Sequence, residues 1–160
     1  MDAESIKFRN LIMNSFSYLI SDFDFKLKKE EDNDSGYYIT FMNDTTGVRI
    51  SYVPRDGGAK ILLYKLINGE LPEYPIFIND DTELNQFYIF DLIVLRNPNY
   101  KKDFPGIFNS NKYIEMEAIE EYGTAVKEYA ADILRGDFTV FSELEKIVKA
   151  RARKIREERK

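Results

Sequence analysis

Carboxylates carry whatever acid–base chemistry this chain has, because its 160 residues include no His, no Cys and no Trp. That removes the usual general base, the usual transition-metal ligands and the thiol nucleophile. Glu117, Glu121 and Glu128 fall on one side of a predicted helix, and the four-residue spacing of Glu117 and Glu121 suits a shared hard cation or an acid/base pair. The same spacing describes an ordinary solvated helix face lying opposite an apolar stripe, so it is not a catalytic signal. Asp91 is sharper, since it interrupts the apolar run 87–95. A carboxylate there is either buried with a raised pKa, or it points outward through a gap in the packing or pairs with a cation such as Arg96. No catalytic residue, metal site or cofactor is assigned.

Two apparent motifs fail on spacing. Asp32-Asn33-Asp34-Ser35-Gly36 resembles the opening of a calcium loop, but no Glu stands at the required twelfth position, near which Phe41 and Met42 lie. Gly57-Gly58 precedes a predicted strand and lacks the Lys-Ser/Thr ending of a phosphate cradle, so it marks a hairpin turn.

Recognition chemistry is better represented than reaction chemistry. Tyr100, Phe104 and Phe108, mixed with Lys101, Lys102 and Asp103, lie in an aperiodic segment spanning 97–111. Large aromatics on an irregular segment anchor partner proteins, or else they fold back onto the core. Residues 146–160 carry eight basic side chains against two acidic ones, a net of +6, so with a whole-chain charge of −5 the other 145 residues carry −11. An acidic body steers positively charged partners and repels nucleic acid, whereas the basic tail offers some contact to phosphates without interleaved aromatics.

The elements that position these residues follow from periodicity. Apolar positions Phe8, Ile12, Phe16, Leu19, Ile20 and Phe23 predict one amphipathic helix over 2–23. Alternation predicts a first strand at 23–27, ended by the polar stretch 30–36, and further strands at 37–42, 48–53 and 59–66. The turns between them are too short for parallel crossovers, so the sheet is an antiparallel meander. Asp80-Asp81-Thr82-Glu83 looks like a helix start, predicting a buried helix over 82–96. A long helix from Lys112 to Gly136 and a last one capped by Asp137 or Thr139 complete an antiparallel helical hairpin. The expectation is one α+β domain over 1–160: an N-terminal helix, a sheet of about four strands, a buried helix, and the hairpin covering one sheet face, with a basic helical tail at 146–160.

The acidic start Met1-Asp2-Ala3-Glu4-Ser5 is unlike an export signal, and no apolar run approaches the ~20 residues of a membrane span, so the expected compartment is the cytoplasm. In its organisation, and in the segment Tyr129-Ala130-Ala131-Asp132-Ile133-Leu134-Arg135-Gly136-Asp137-Phe138 followed by a charged helix, the chain resembles small bacterial proteins of the toxin-immunity kind. The resemblance implies a non-catalytic inhibitor that masks a basic toxin domain with an acidic surface, and the basic tail departs from it. On this expectation Tyr100, Phe104, Phe108, Glu117 and Glu121 contact the partner. A nucleic-acid-associated protein using the basic tail, and an enzyme working without His, are the alternatives.

Overall fold

The computed structural model describes residues 1–56, 58–100 and 118–160. Among them, two helices precede a five-stranded sheet and four follow it. Helix α1 (Ala3–Ser15) starts where the Asp2 carboxylate accepts the Ser5 N–H at 2.7 Å, and buries Phe8 and Ile12. The expected single helix over 2–23 is broken: Phe16 and Ser17 bend the chain into α2 (Tyr18–Phe23). The cause is a close approach. A Cβ on Gly123 would stand 2.6 Å from the Ser15 carbonyl oxygen, and the Tyr18 hydroxyl donates to the Gly123 carbonyl at 2.6 Å. Asp24, at φ 61°, ends α2 in the left-handed conformation that Asp tolerates.

The strands β1 (Lys26–Asn33), β2 (Gly36–Met42), β3 (Thr46–Val53), β4 (Gly58–Lys65) and β5 (Gln86–Tyr88) pair in sequence order, all antiparallel. The first strand runs through the polar stretch expected to end it. As the sheet's edge it needs only backbone pairing, and its charges find partners: Glu30 accepts from Arg9 at 2.6 Å and from the Tyr37 hydroxyl at 2.7 Å. Across the sheet, Ile39, Ile50 and Ile61 form one core-facing row, and Phe41, Val48, Leu63 and Phe87 another.

The apolar run 87–95 is strand and helix in succession. Gln86, Phe87 and Tyr88 pair with β4, and α3 (Ile89–Arg96) begins only afterwards. Thr82 does not start a helix; its hydroxyl accepts the Asn79 N–H at 3.0 Å and closes a local turn. The run is apolar all round because its first part is a strand flanked on both faces.

The helix expected from Lys112 is seen as α4 (Ile119–Tyr129), its earlier part lying outside the described residues, and it breaks at Ala130 before the short α5 (Ala131–Leu134). Carbonyls at this end are taken up by the β2–β3 turn: Thr46 donates to Ile133 at 2.8 Å and Asn43 to Leu134 at 2.9 Å. Gly136, at φ 92°, turns the chain toward α6 (Phe141–Glu158). The expected cap by Asp137 or Thr139 is not made: Asp137 accepts from the Thr139 N–H at 3.0 Å in the turn before the helix, and Val140 stands at the N-cap without a side-chain bond. Helix α4 packs on α1 and α3, and α6 packs on α3, which closes the core on one sheet face. The fold is α+β, as the sequence leads one to expect.

Candidate partner-binding surface

Helix α4 presents Glu120, Glu121 and Glu128 to solvent. Its one lysine, Lys127, is drawn to Asp22 at 3.2 Å and lies over the Tyr18 ring, so the exposed face keeps a negative field. Beside these glutamates a cleft of about 380 Å³ opens between the end of α3 and α4, lined by Asn97, Tyr100, Glu121, Thr124, Ala125, Glu128 and Tyr129.

The floor of this cleft is fixed by the residues that end α3. Arg96 donates to the Asp132 carboxylate at 2.6 and 2.7 Å and to the Tyr129 carbonyl, while Asn97 donates to the Tyr129 hydroxyl at 2.8 Å. The Arg96 guanidinium holds the Asp132 carboxyl below its ordinary range. Tyr100 meets Tyr129 edge-on, with ring centroids 6.0 Å apart. Burial, helped by the Glu121 charge, pushes the Tyr100 phenol up.

Of the expected contact residues, Tyr100 and Glu121 share this cleft, whereas Phe104, Phe108 and Glu117 lie outside the described residues. Tyr100 is 8% exposed, so its ring is a wall of the cleft rather than a projecting anchor. Asp91 is buried, but its partner is not Arg96. Arg151 of α6 reaches across with guanidinium nitrogens 2.5 and 3.3 Å from the two carboxylate oxygens. The carboxylate is therefore committed to an ion pair joining α3 to α6.

The basic tail is also reassigned. It does not project; α6 continues through it as a helix, and its cations hold the body. Lys149 donates to the Asp80 carbonyl at 2.8 Å, Arg153 to the Asp80 carboxylate at 2.9 Å, and Arg156 to the Ile78 carbonyl. Sequence reasoning missed what they hold: a loop over 66–85 that leaves Ile76 and Phe77 on the surface. Its start is a tight turn at Asn68-Gly69 bridged by Ile67 and Glu70, and Leu71 packs so close to Gly47 that a Cβ there would stand 2.5 Å away. The one available signal was compositional, since 66–95 contains six carboxylates and no Lys or Arg.

Among the described residues no group of three or more acidic side chains is placed to hold a metal ion, and no helix is long and apolar enough to cross a membrane. Comparison of the chain with protein-family models, with curated proteins and with solved structures finds no match in any of the three.

Proposed function

We propose that this chain is a non-catalytic protein-binding module, and that its concrete role is that of an immunity-type inhibitor that masks a basic toxin domain. The observation that carries this reading is the α4 cleft: an aromatic floor of Tyr100 and Tyr129, braced by Arg96 and Asn97, beside the exposed carboxylates Glu121 and Glu128. A fixed floor lowers the ordering cost of association, and the exposed carboxylates of Glu121 and Glu128 accelerate encounter with a cationic partner. The cytoplasm is the compartment that fits such a role.

The nucleic-acid alternative loses support from the four α6 cations that already bind Ile78, Asp80 and Asp91 within the fold. For an enzyme working without His, Asp91 was the group to watch, and Arg151 occupies its carboxylate.

The test uses as probe the product of the reading frame immediately upstream, because an immunity-type inhibitor is expected to be encoded beside its toxin. Mixed with the full chain, it is expected to form a stoichiometric complex on size exclusion that Glu121→Lys with Glu128→Lys disrupts, without change in the circular dichroism of the chain. A complex indifferent to that double reversal, or no complex, overturns the reading.

A further inference from the structure

The face of the sheet turned away from the core carries its own side chains. Arg49, Leu62 and Tyr88 pair in one row across β3, β4 and β5, and Gly47, Tyr64 and Gln86 in the next. The segment from Leu71 to Tyr74 lies against these rows and is fixed there. Leu71 fills the space a Cβ on Gly47 would take. The buried Gln86 amide, in the orientation that satisfies both groups, donates to the Pro72 carbonyl and accepts the Tyr74 N–H at 3.3 Å each. Between segment and sheet a cavity of about 410 Å³ stays open, within the size range of small-molecule sites.

The polar lining of this cavity has donors to spare. Tyr64 is 5% exposed, yet among the described residues nothing accepts its O–H: the charged group acting on its phenol is Arg49, which can only donate. Arg49 lies over the Tyr38 ring, and the carboxylate nearest it, Glu31 at 3.5 Å, is shared with Lys29 at 2.9 Å. Its guanidinium has more N–H groups than these neighbours use. At the rim stands Glu73, exposed and in no ion pair among the described residues.

We propose that this cavity binds a free amino acid with a large apolar side chain, its carboxylate on Arg49 and Tyr64 and its ammonium on Glu73. A carboxylate can take a guanidinium N–H and a phenol O–H together. The charges around the cavity, Lys29 and Arg49 against Glu31 and Glu73, already balance. A simple anion or a simple cation would leave an excess of one sign, whereas a zwitterion brings one of each. The Tyr74 and Tyr88 rings favour an ammonium nearby, and Leu62, Leu71 and Pro72 offer apolar surface to the side chain. The cavity shares no residue with the α4 cleft, so the inference stands apart from the inhibitor reading.

Thermal unfolding of the full chain with each standard L-amino acid in turn, at millimolar concentration, tests it, with calorimetric titration of those that raise the melting temperature. Leucine, isoleucine, methionine and phenylalanine are the ones expected to stabilise. For the tightest of them, the carboxamide, which lacks the carboxylate, and the N-acetyl derivative, which lacks the ammonium, should each bind about tenfold more weakly or worse, the scale of one hydrogen bond to a charged group. Arg49→Gln and Tyr64→Phe should each weaken the amino acid and leave the carboxamide unaffected, while Glu73→Gln weakens the amino acid and leaves the N-acetyl derivative unaffected. Tyr64→Phe removes only a hydroxyl whose proton has no acceptor, so the variant keeps its fold, which circular dichroism verifies. Stabilisation by none of the amino acids overturns the proposal. So do derivatives that bind as tightly as the parent, or an affinity that survives both Arg49→Gln and Tyr64→Phe.

Discussion

Among the described ion pairs, Asp91 and Arg151 stand apart, because the carboxylate is buried while the arginine keeps 31% of its side chain in water. Arg151→Ala leaves a carboxylate unpaired in the interior and should cost roughly 3 kcal/mol, toward the lower end for a buried pair because the arginine is partly solvated. Replacing both residues, with Asp91→Asn and Arg151→Met, should recover much of that loss, and urea unfolding of the three variants measures it. Two other carboxylates, both with partly buried side chains, contribute to the acid limit. Asp132, hydrogen-bonded by Arg96, and Glu30, held first by the Tyr37 hydroxyl and then by Arg9, both ionise below their ordinary values of 3.8 and 4.5. Their stabilisation is complete above those values and is lost as pH falls through the lowered ones. Urea midpoints should therefore drop on acidification through the carboxylate range, and Asp132→Asn should make the drop shallower. The sequence exposed Asp91 as an anomaly but not its partner, since 60 residues separate it from Arg151 and only the packing of α6 on α3 brings them together.

At the scale of elements, Gly123 decides how α1 meets α4. In an open helix Gly→Ala stabilises by about 1 kcal/mol, but here the new methyl would press on the Ser15 carbonyl at 2.6 Å. Gly123→Ala should therefore destabilise by about 1–3 kcal/mol, the usual cost of overpacking, and thermal unfolding gives the sign directly. The strands β2 to β4 were legible because large apolar residues alternate along the core face of each and their turns are short. The end of β1 was not, because an edge strand is held by backbone pairing that leaves no mark in side-chain polarity. The start of α3 was hidden for the opposite reason: strand and helix in 86–96 are both buried, and burial erases periodicity. The break at Ser17 depends on the distant Gly123. Of the α4 cleft, Glu121 was named from its helical spacing and Tyr100 as a large aromatic on an irregular segment, but the brace of Arg96 and Asn97 on Tyr129 is a product of the fold.

Over the whole molecule, the division into acidic body and basic tail dissolves into a clasp. Removing 146–160 would take away Lys149, Arg151, Arg153 and Arg156 together, leaving Asp91 unpaired and the 66–85 loop without its anchors. That truncation should lower the melting temperature sharply rather than leave an intact body. A test for phosphate binding is cleaner with Lys146, Lys154, Arg159 and Lys160 changed to Gln, which spares the clasp and should leave the melting temperature nearly unchanged. Among the described residues, α4 presents a negative face with an aromatic cleft beside it. The most direct measurement is a calorimetric titration of the full chain with the product of the adjacent reading frame, at low and at high salt. The account predicts one-to-one binding that weakens as salt rises and is abolished by Glu121→Lys with Glu128→Lys. Binding that ignores both salt and the double reversal, or no heat of binding at all, would contradict it.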